Sequence, residues 1–590
     1  MIRYAIDASA TPSHTFAVTL TVPGPASAQQ LSLPVWIPGS YLVREFARHL
    51  SGVSAEQGGQ VVSIRQLDKA SWMAACDGEA ELVVRYRVYA FDVSVRAAYL
   101  DGTRGFFNGT GVCLRVEGRE GEAHALALTG LPPGWEVATT LATHGDLAGR
   151  EFVAPDYDAL VDHPVELGRF WRGGFDAAGV AHEFVVAGAL PDFDGERLLA
   201  DTRKICETEI AFWHGAGGKP PFERYLFLLN AVDEGQGGLE HRSSTALVAP
   251  RRELPRQRQK HEPADAAAPS ETSEGYASVL GLIAHEYFHA WNVKRLKPRD
   301  FAPLDYAREN YTELLWFFEG FTSYYDDLFV VRSGRIDAAR YLKLLGKTIT
   351  AVAATPGREA QSVAAASFDA WVKYYRQDEN TPNATVSYYA KGSLVALALD
   401  LTLRHEGRGT LDDVMRRLWS QSDGGAIDEA DIAAAFEAVG GRSYAPEIAA
   451  WVHGTDELPL ESLLRRFAVE FDRQPATLAQ RLGIRVGESP LTGVKVTHVL
   501  RGGAGEAIGL APGDELIAAG GWRLRRLDDA LRGLPTNGEM TLVVARDQRV
   551  FNLVLEAGNL AGASAGAVQL RRTESAGVEA RALCEAWIAG

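Results

Sequence analysis

His285, Glu286 and His289 stand as His-Glu-Tyr-Phe-His inside SVLGLIAHEYFHAWNVKRL. Apolar residues recur at helical spacing through this stretch, which predicts a helix ending before Pro298. Positions i and i+4 share a helix face, so the two imidazoles can converge on one cation. Glu286, next to the first of them, is placed to accept a proton from an attacking water. The bland alternative is two surface histidines with an incidental Glu, and more ligands are needed to decide. A catalytic zinc takes three protein ligands and keeps one position open. Glu319, in LLWFFEGFTSYYDDL, is the candidate third ligand. A carboxylate among Trp316, Phe317, Phe318 and Phe321 is costly to bury unpaired, and a metal removes that cost. Glu309 and Glu313 compete for the role, and Glu319 could instead be an exposed Glu on an amphipathic helix.

The elements that must position these groups follow from patterning. TFAVTLTV, LVVRYRVYAF and GVCLRVEG alternate or run apolar between Gly, Pro and Asp, so residues 1–172 read as a β-rich N-terminal domain. A catalytic domain is expected over 173–455, where the strand RYLFLLNAV leads into GQGGLEHRSS and then into several helical segments. Within it, 251–275 is rich in charge, Pro, Ala and Ser and reads as a solvated loop. A helical connector over 456–477, carrying SLLRRFAVEF, precedes a small strand-rich unit at 478–556 and a tail at 557–590 that ends in a short helix. The fold class is multidomain α+β.

Bulk properties set bounds on this reading. At 590 residues the chain exceeds a single core. Its formal net charge of -16 disfavours nonspecific attraction to nucleic acid or to anionic membrane. No apolar run reaches the ~20 residues that span a bilayer. The start, MIRYAIDASATPSHTF, shows no secretory leader. Cys76, Cys113, Cys206 and Cys584 are scattered, as reduced thiols would be, so a cytoplasmic location is expected, or a periplasmic or secreted one for a mature form.

HEYFHAWN followed by WFFEGFTSYY resembles the glycyl aminopeptidase family, zinc peptidases related to thermolysin and to leukotriene-hydrolase-type aminopeptidases. LPVWIPGSYLVREFARHL resembles the start of that family's β-rich first domain. The resemblance implies a thermolysin-like catalytic domain, one Zn²⁺ per chain, and Glu319 as the third ligand in its W-x-x-E-G segment. His289 and Glu319 are further apart than is usual in the wider clan, so FAPLDYARENY (301–311) is expected to loop out between two helices. Gly237, Gly238 and Glu240, in GGLEH, resemble the Gly-x-x-Glu-Asn signature of related aminopeptidases, with His241 where Asn is usual. Glu240 would then hold a substrate's α-ammonium, while the glycines let a substrate backbone approach. Tyr389, in SYYAKG, matches the family's Tyr-x-Lys-Gly and would donate to the developing oxyanion. Tyr388 lies one residue away, and both rings could instead be core.

Residues 478–556 resemble a PDZ domain, with Arg481, Leu482, Gly483 and Ile484 as its carboxylate-binding loop. A peptide C-terminus would add there as a strand, or the groove is degenerate and the module only packs. The expected activity is removal of N-terminal residues, Gly or Ala by the resemblance, from peptides with a free amine. An endopeptidase recruiting substrates through the PDZ domain would cleave acetylated peptides as well. An inactive PDZ scaffold would lack one of the chemical groups, and all are present here.

Overall fold

Thr15–Val22 and Leu82–Tyr89 alternate between buried and exposed side chains, so each lays one apolar face on a core and turns the other outward. Six further strands join them in an eight-stranded sheet, in which Ile2–Ala10 pairs parallel with His124–Thr129. Two four-stranded sheets complete this β-rich region. These features come from a computed structural model that describes residues 1–145, 150–257, 272–535, 537–560 and 566–590. Most of the expected loop at 251–275 therefore lies outside the described residues. The backbone divides into one unit of Met1–Tyr311, Arg332–Ile336 and Met415–Asp428, and another of Thr312–Val331, Asp337–Val414 and Glu429–Gly590.

In the first unit a five-stranded sheet follows the β-rich region, in the order Trp171–Ala177, Val180–Ala187, Arg224–Val232, Ser244–Pro250 and Gly237–Glu240. Arg224–Val232 is central, pairs parallel on both sides and is buried along nearly its whole length, as such strands are. Gly237–Glu240 runs antiparallel at the edge. Leu226, Leu228, Leu239 and Ala246 of this sheet join the same apolar cluster as Ile2, Phe16 and Leu126 of the N-terminal strands. The helices Gly195–His214 and Glu274–Phe288 pack against the sheet.

In the second unit Leu315–Phe318 and Gly320–Arg332 form a nearly continuous helical path, met by Ala390–His405. The span 301–311 between the two motifs carries no regular element beyond a single turn at Arg299–Phe301, as expected for a loop. The connector is helical only over Leu460–Arg466. Val469–Arg473 is a strand, because FAVEFDR alternates and finds an antiparallel partner in Val568–Arg572 of the tail. Val568 is tied further by its amide, which donates to Thr350 Oγ1 at 2.8 Å. The last helix, Val578–Ala589, is anchored by Trp587, whose Nε1 donates to the Tyr324 hydroxyl at 2.9 Å. Between the two paired strands lies a small β unit with its own apolar core, including Leu482, Ile484, Val496, Leu516 and Val544.

Among the described residues, no helix is long and apolar enough to cross a membrane.

Candidate active site

The helix Glu274–Phe288 begins at Ser273, whose hydroxyl accepts the Tyr276 amide at 3.0 Å, with Glu274 in the first turn. Its buried face is fixed by Tyr287, which stacks edge-on against Tyr225 at 4.8 Å and hydrogen-bonds His182 Nε2 at 2.8 Å. The opposite face presents His285, Glu286 and His289. The helix ends at Phe288, earlier than the periodicity suggests, and His289 is its C-cap. The Asn292 carbonyl turns back to meet His289 Nδ1 at 2.7 Å, and the Leu296 amide donates to Trp291 O instead.

That early end has a chemical effect. With Nδ1 donating to a carbonyl, the His289 proton is fixed there, and Nε2 carries a lone pair. His289 Nε2 lies 3.1 Å from His285 Nε2, the rings meeting at 87°. Two imidazoles on one tetrahedral zinc place their nitrogens about 3.3 Å apart. The donor pair therefore fits a shared cation. Glu240, Glu286 and His289 also converge, with ligating atoms all within 4.8 Å of one another, and each is at most 5% exposed.

The glycines have a sharper role than leaving room for substrate. A Cβ on Gly238 would overlap the Glu286 carboxylate, so Gly238 is where the helix residue rests against the edge strand. Its carbonyl receives Arg96 Nη2 at 3.4 Å. Gly39, at φ 91°, does the same for Glu240, since a Cβ there would overlap that carboxylate. The sequence reading missed Gly39; its signal was the Pro-Gly turn in WIPGS. His241 is buried, and its Nδ1 meets Asp162 at 3.3 Å. Burial pushes the Asp162 carboxyl up, but Lys294 at 2.7 Å, with His241 and Arg242, more than reverses this and holds it well below the usual range. Asp162 was also missed, because nothing in its local spacing sets it apart.

In the second unit Glu319 sits where Leu315–Phe318 passes into Gly320–Arg332, and it is 2% exposed. A Cβ on Gly320 would stand 2.6 Å from the Gly392 Cα, and one on Gly392 would stand 2.8 Å from Trp316 O. The two motif glycines thus let their helices cross at backbone contact, which brings Tyr389 beside Glu319. Burial, and then the Glu319 carboxylate, push the Tyr389 phenol well above its ordinary value, so it stays protonated and able to donate. Its hydroxyl lies 3.3 Å from that of Tyr375, while the fully buried Tyr388 stacks on its ring at 4.7 Å. Glu309 and Glu313 lie outside this cluster, in the 302–314 stretch that has no regular structure.

In the small β unit Leu482 closes the helix Leu478–Leu482, and Ile484 opens the edge strand Ile484–Ser489. Gly483 between them is left-handed at φ 67°, with the Gly503 Cα close behind. Its amide donates to Gln480 O, so one backbone donor expected to face a peptide carboxylate is already engaged. Asn383, from the helical part of the unit, clasps the following loop, donating to Val499 O and accepting from the Arg501 amide, each at 2.9 Å.

Fold and chemical groups together define a peptidase. Three family models match: the peptidase M61 N-terminal domain over residues 3–169, the M61 glycyl aminopeptidase over 278–395 and the PDZ domain over 472–545. The crystal structure of an aminopeptidase N family protein from Idiomarina loihiensis is 35% identical with a TM-score of 0.89, covering 100% of both chains. An M1 zinc metallopeptidase mutant from Deinococcus radiodurans, bound to a Tyr-Ser-Ala substrate, is 14% identical with a TM-score of 0.47, over 78% of this chain and 94% of its own. No curated protein sequence gave a match. The chain belongs to the M61 glycyl aminopeptidase family and carries a PDZ domain.

The glycine contacts separate positioning from folding. Gly238→Ala meets the Glu286 side chain from Cγ outward and no backbone, so the protein should fold while Glu286 is displaced and peptide hydrolysis falls roughly 10²-fold. Gly392→Ala meets backbone and should cost about 1–3 kcal/mol, read as a lowered Tm. Undiminished hydrolysis by Gly238→Ala would show that the Glu286 position does not matter.

Proposed function

We propose that the protein is a zinc-dependent aminopeptidase that removes N-terminal residues, Gly and Ala foremost, from peptides with a free amine. The observation that carries this reading is the convergence of Glu240 and Glu286 on His289, beside the paired Nε2 atoms of His285 and His289. Carboxylates and an imidazole gathered this closely are the groups that would hold a metal-bound peptide and its α-ammonium side by side. In this reading His285, His289 and Glu319 hold one Zn²⁺ per chain. Bound zinc would polarise the scissile carbonyl and acidify the attacking water.

The chain's own groups carry the remaining steps. Glu286 takes the proton of the attacking water and passes it to the leaving amine. The Tyr389 hydroxyl, kept protonated by its burial, donates to the oxygen on which negative charge develops. Glu240 receives the α-ammonium and so sets cleavage one residue from the chain start. The preference for Gly and Ala comes from the family resemblance. At the PDZ domain a peptide C-terminus would add to the exposed edge of Ile484–Ser489 near Leu482 and Gly483.

Purified protein should contain about one zinc per chain by elemental analysis, and His289→Ala should lose metal and activity together. Full zinc content in that variant would remove His289 from the ligand set. Glu286→Gln should keep zinc while kcat falls roughly 10²–10⁴-fold, the span of general-base catalysis.

A free-amine requirement separates the two peptidase readings. The protein should release Gly from Gly-Ala-Ala-Phe, leave the acetylated peptide intact, and lose most of that discrimination in Glu240→Gln. Internal cleavage of acetylated peptides at comparable rates would make it an endopeptidase.

A further inference from the structure

Glu240 lines a cavity of about 220 Å³ in the first unit, far more than the methyl group of Ala requires. Gly39 brings the backbone against the Glu240 carboxylate at this cavity, and Trp36, Tyr41 and Phe301 supply apolar wall, the last two stacked at 6.0 Å. If Glu240 receives the α-ammonium, the side chain of the first substrate residue leaves from the carbon that bears it. The cavity is then where that side chain goes. This step rests on the proposed aminopeptidase reading.

The charges on the wall indicate which side chain suits it. The acids are Asp158, Asp162 and Glu240, and the strong cations are Arg242, Lys294 and Lys297. Lys294 is committed to Asp162 at 2.7 Å, and the exposed Arg242 leans on the same carboxylate, its amide at 3.1 Å and its Nε at 4.0 Å. Asp158 serves as hydrogen-bond partner to Tyr306. Among the described residues, no carboxylate lies within ion-pair distance of Lys297. Burial, then the charges of Arg242 and Lys294, push its ammonium down to about 8, so it is still mostly charged at neutral pH. An ammonium that is partly dry and without a carboxylate partner gains most from an incoming anion.

We infer that this cavity is the specificity pocket for the first residue of the substrate, and that Lys297 makes it accept an acidic side chain, aspartate or glutamate, in addition to small residues. The apolar wall takes the methylene stem, and the Lys297 ammonium pairs with the terminal carboxylate. Nothing in the local sequence KRLKP marks Lys297 apart from its neighbours, since the argument depends on which partners the other cations have found.

The test compares p-nitroanilides of Glu, Gln and Ala on the full-length zinc-loaded protein. Glu and Gln differ only in charge at the end of the side chain, so their ratio of kcat/KM isolates Lys297. Glu should exceed Gln by about 10-fold, the worth of one charge-assisted contact. Lys297→Met should bring the ratio to near one, and Lys297→Arg should retain a preference for Glu. A ratio of one or below in the unmodified protein, or one unmoved by Lys297→Met, overturns the inference while Ala hydrolysis leaves the aminopeptidase reading standing. If no p-nitroanilide is cleaved, that reading fails, and calorimetry with free L-glutamate and L-glutamine still reads the cavity. Tighter glutamate binding that Lys297→Met abolishes sustains the pocket, and equal binding overturns it.

Discussion

Two buried carboxylates and an imidazole with ligating atoms inside 4.8 Å make a crowded electrostatic neighbourhood. At an effective dielectric near 20, two like charges at that separation repel by roughly 3 kcal/mol. Such an arrangement persists only where packing leaves the groups no alternative. Gly238 and Gly39 provide that constraint, because each gives its carboxylate a seat that any side chain would occupy. The carbonyl of Asn292 provides it for His289 by fixing which ring nitrogen bears the proton. The bare backbone at Gly238 and Gly39 is what lets the groups converge.

The second unit solves a similar problem by a different device. Glu319 and Tyr389 lie on separate helical segments, and an acid beside a phenol in an aromatic interior needs the backbones near one another. Gly320 and Gly392 allow this by meeting face to face. Each of those glycines directly follows, or nearly follows, the residue it serves. That adjacency is why short motifs such as Glu-Gly and Tyr-Ala-Lys-Gly carry so much structural information: the chemical group and the contact that positions it travel together.

How much of this was legible in the sequence varied with the range of the interaction. His285, Glu286 and His289 were readable because helical spacing alone puts them on one face. Thr15–Val22 was readable because one-sided burial imprints a period of two, and Arg224–Val232 because a strand buried on both faces reads as a continuous apolar run. The early helix end at Phe288 and the ring hydrogen bond of His289 that goes with it were not, since that bond depends on where a carbonyl three residues later points. Gly39 lies about 200 positions from Glu240, and no local pattern links them. The switch from helix to strand at Phe467–Val469 was hidden because the partner strand, Val568–Arg572, lies a domain away in sequence. The roles of Glu240 and Tyr389 came from family resemblance, which also favoured Glu319, already a candidate from its aromatic surroundings, over Glu309 and Glu313.

The pairing of Val469–Arg473 with Val568–Arg572 also determines how the PDZ domain is attached. Both of its ends leave from one two-stranded ribbon, so it hangs as a loop on a clasp and not as a bead on a string. A module on one linker is held at a single point, whereas this one is held through both strands of the ribbon and again where Asn383 grips the loop at Val499 and Arg501. The same topology means the domain cannot be shed by truncating the chain before it. Such a cut would also strip away Val568–Arg572 and the Trp587 helix, both of them part of the framework around Tyr324 and Thr350. Removing the module cleanly would call for excision between the two strands and a short bridge across the ribbon.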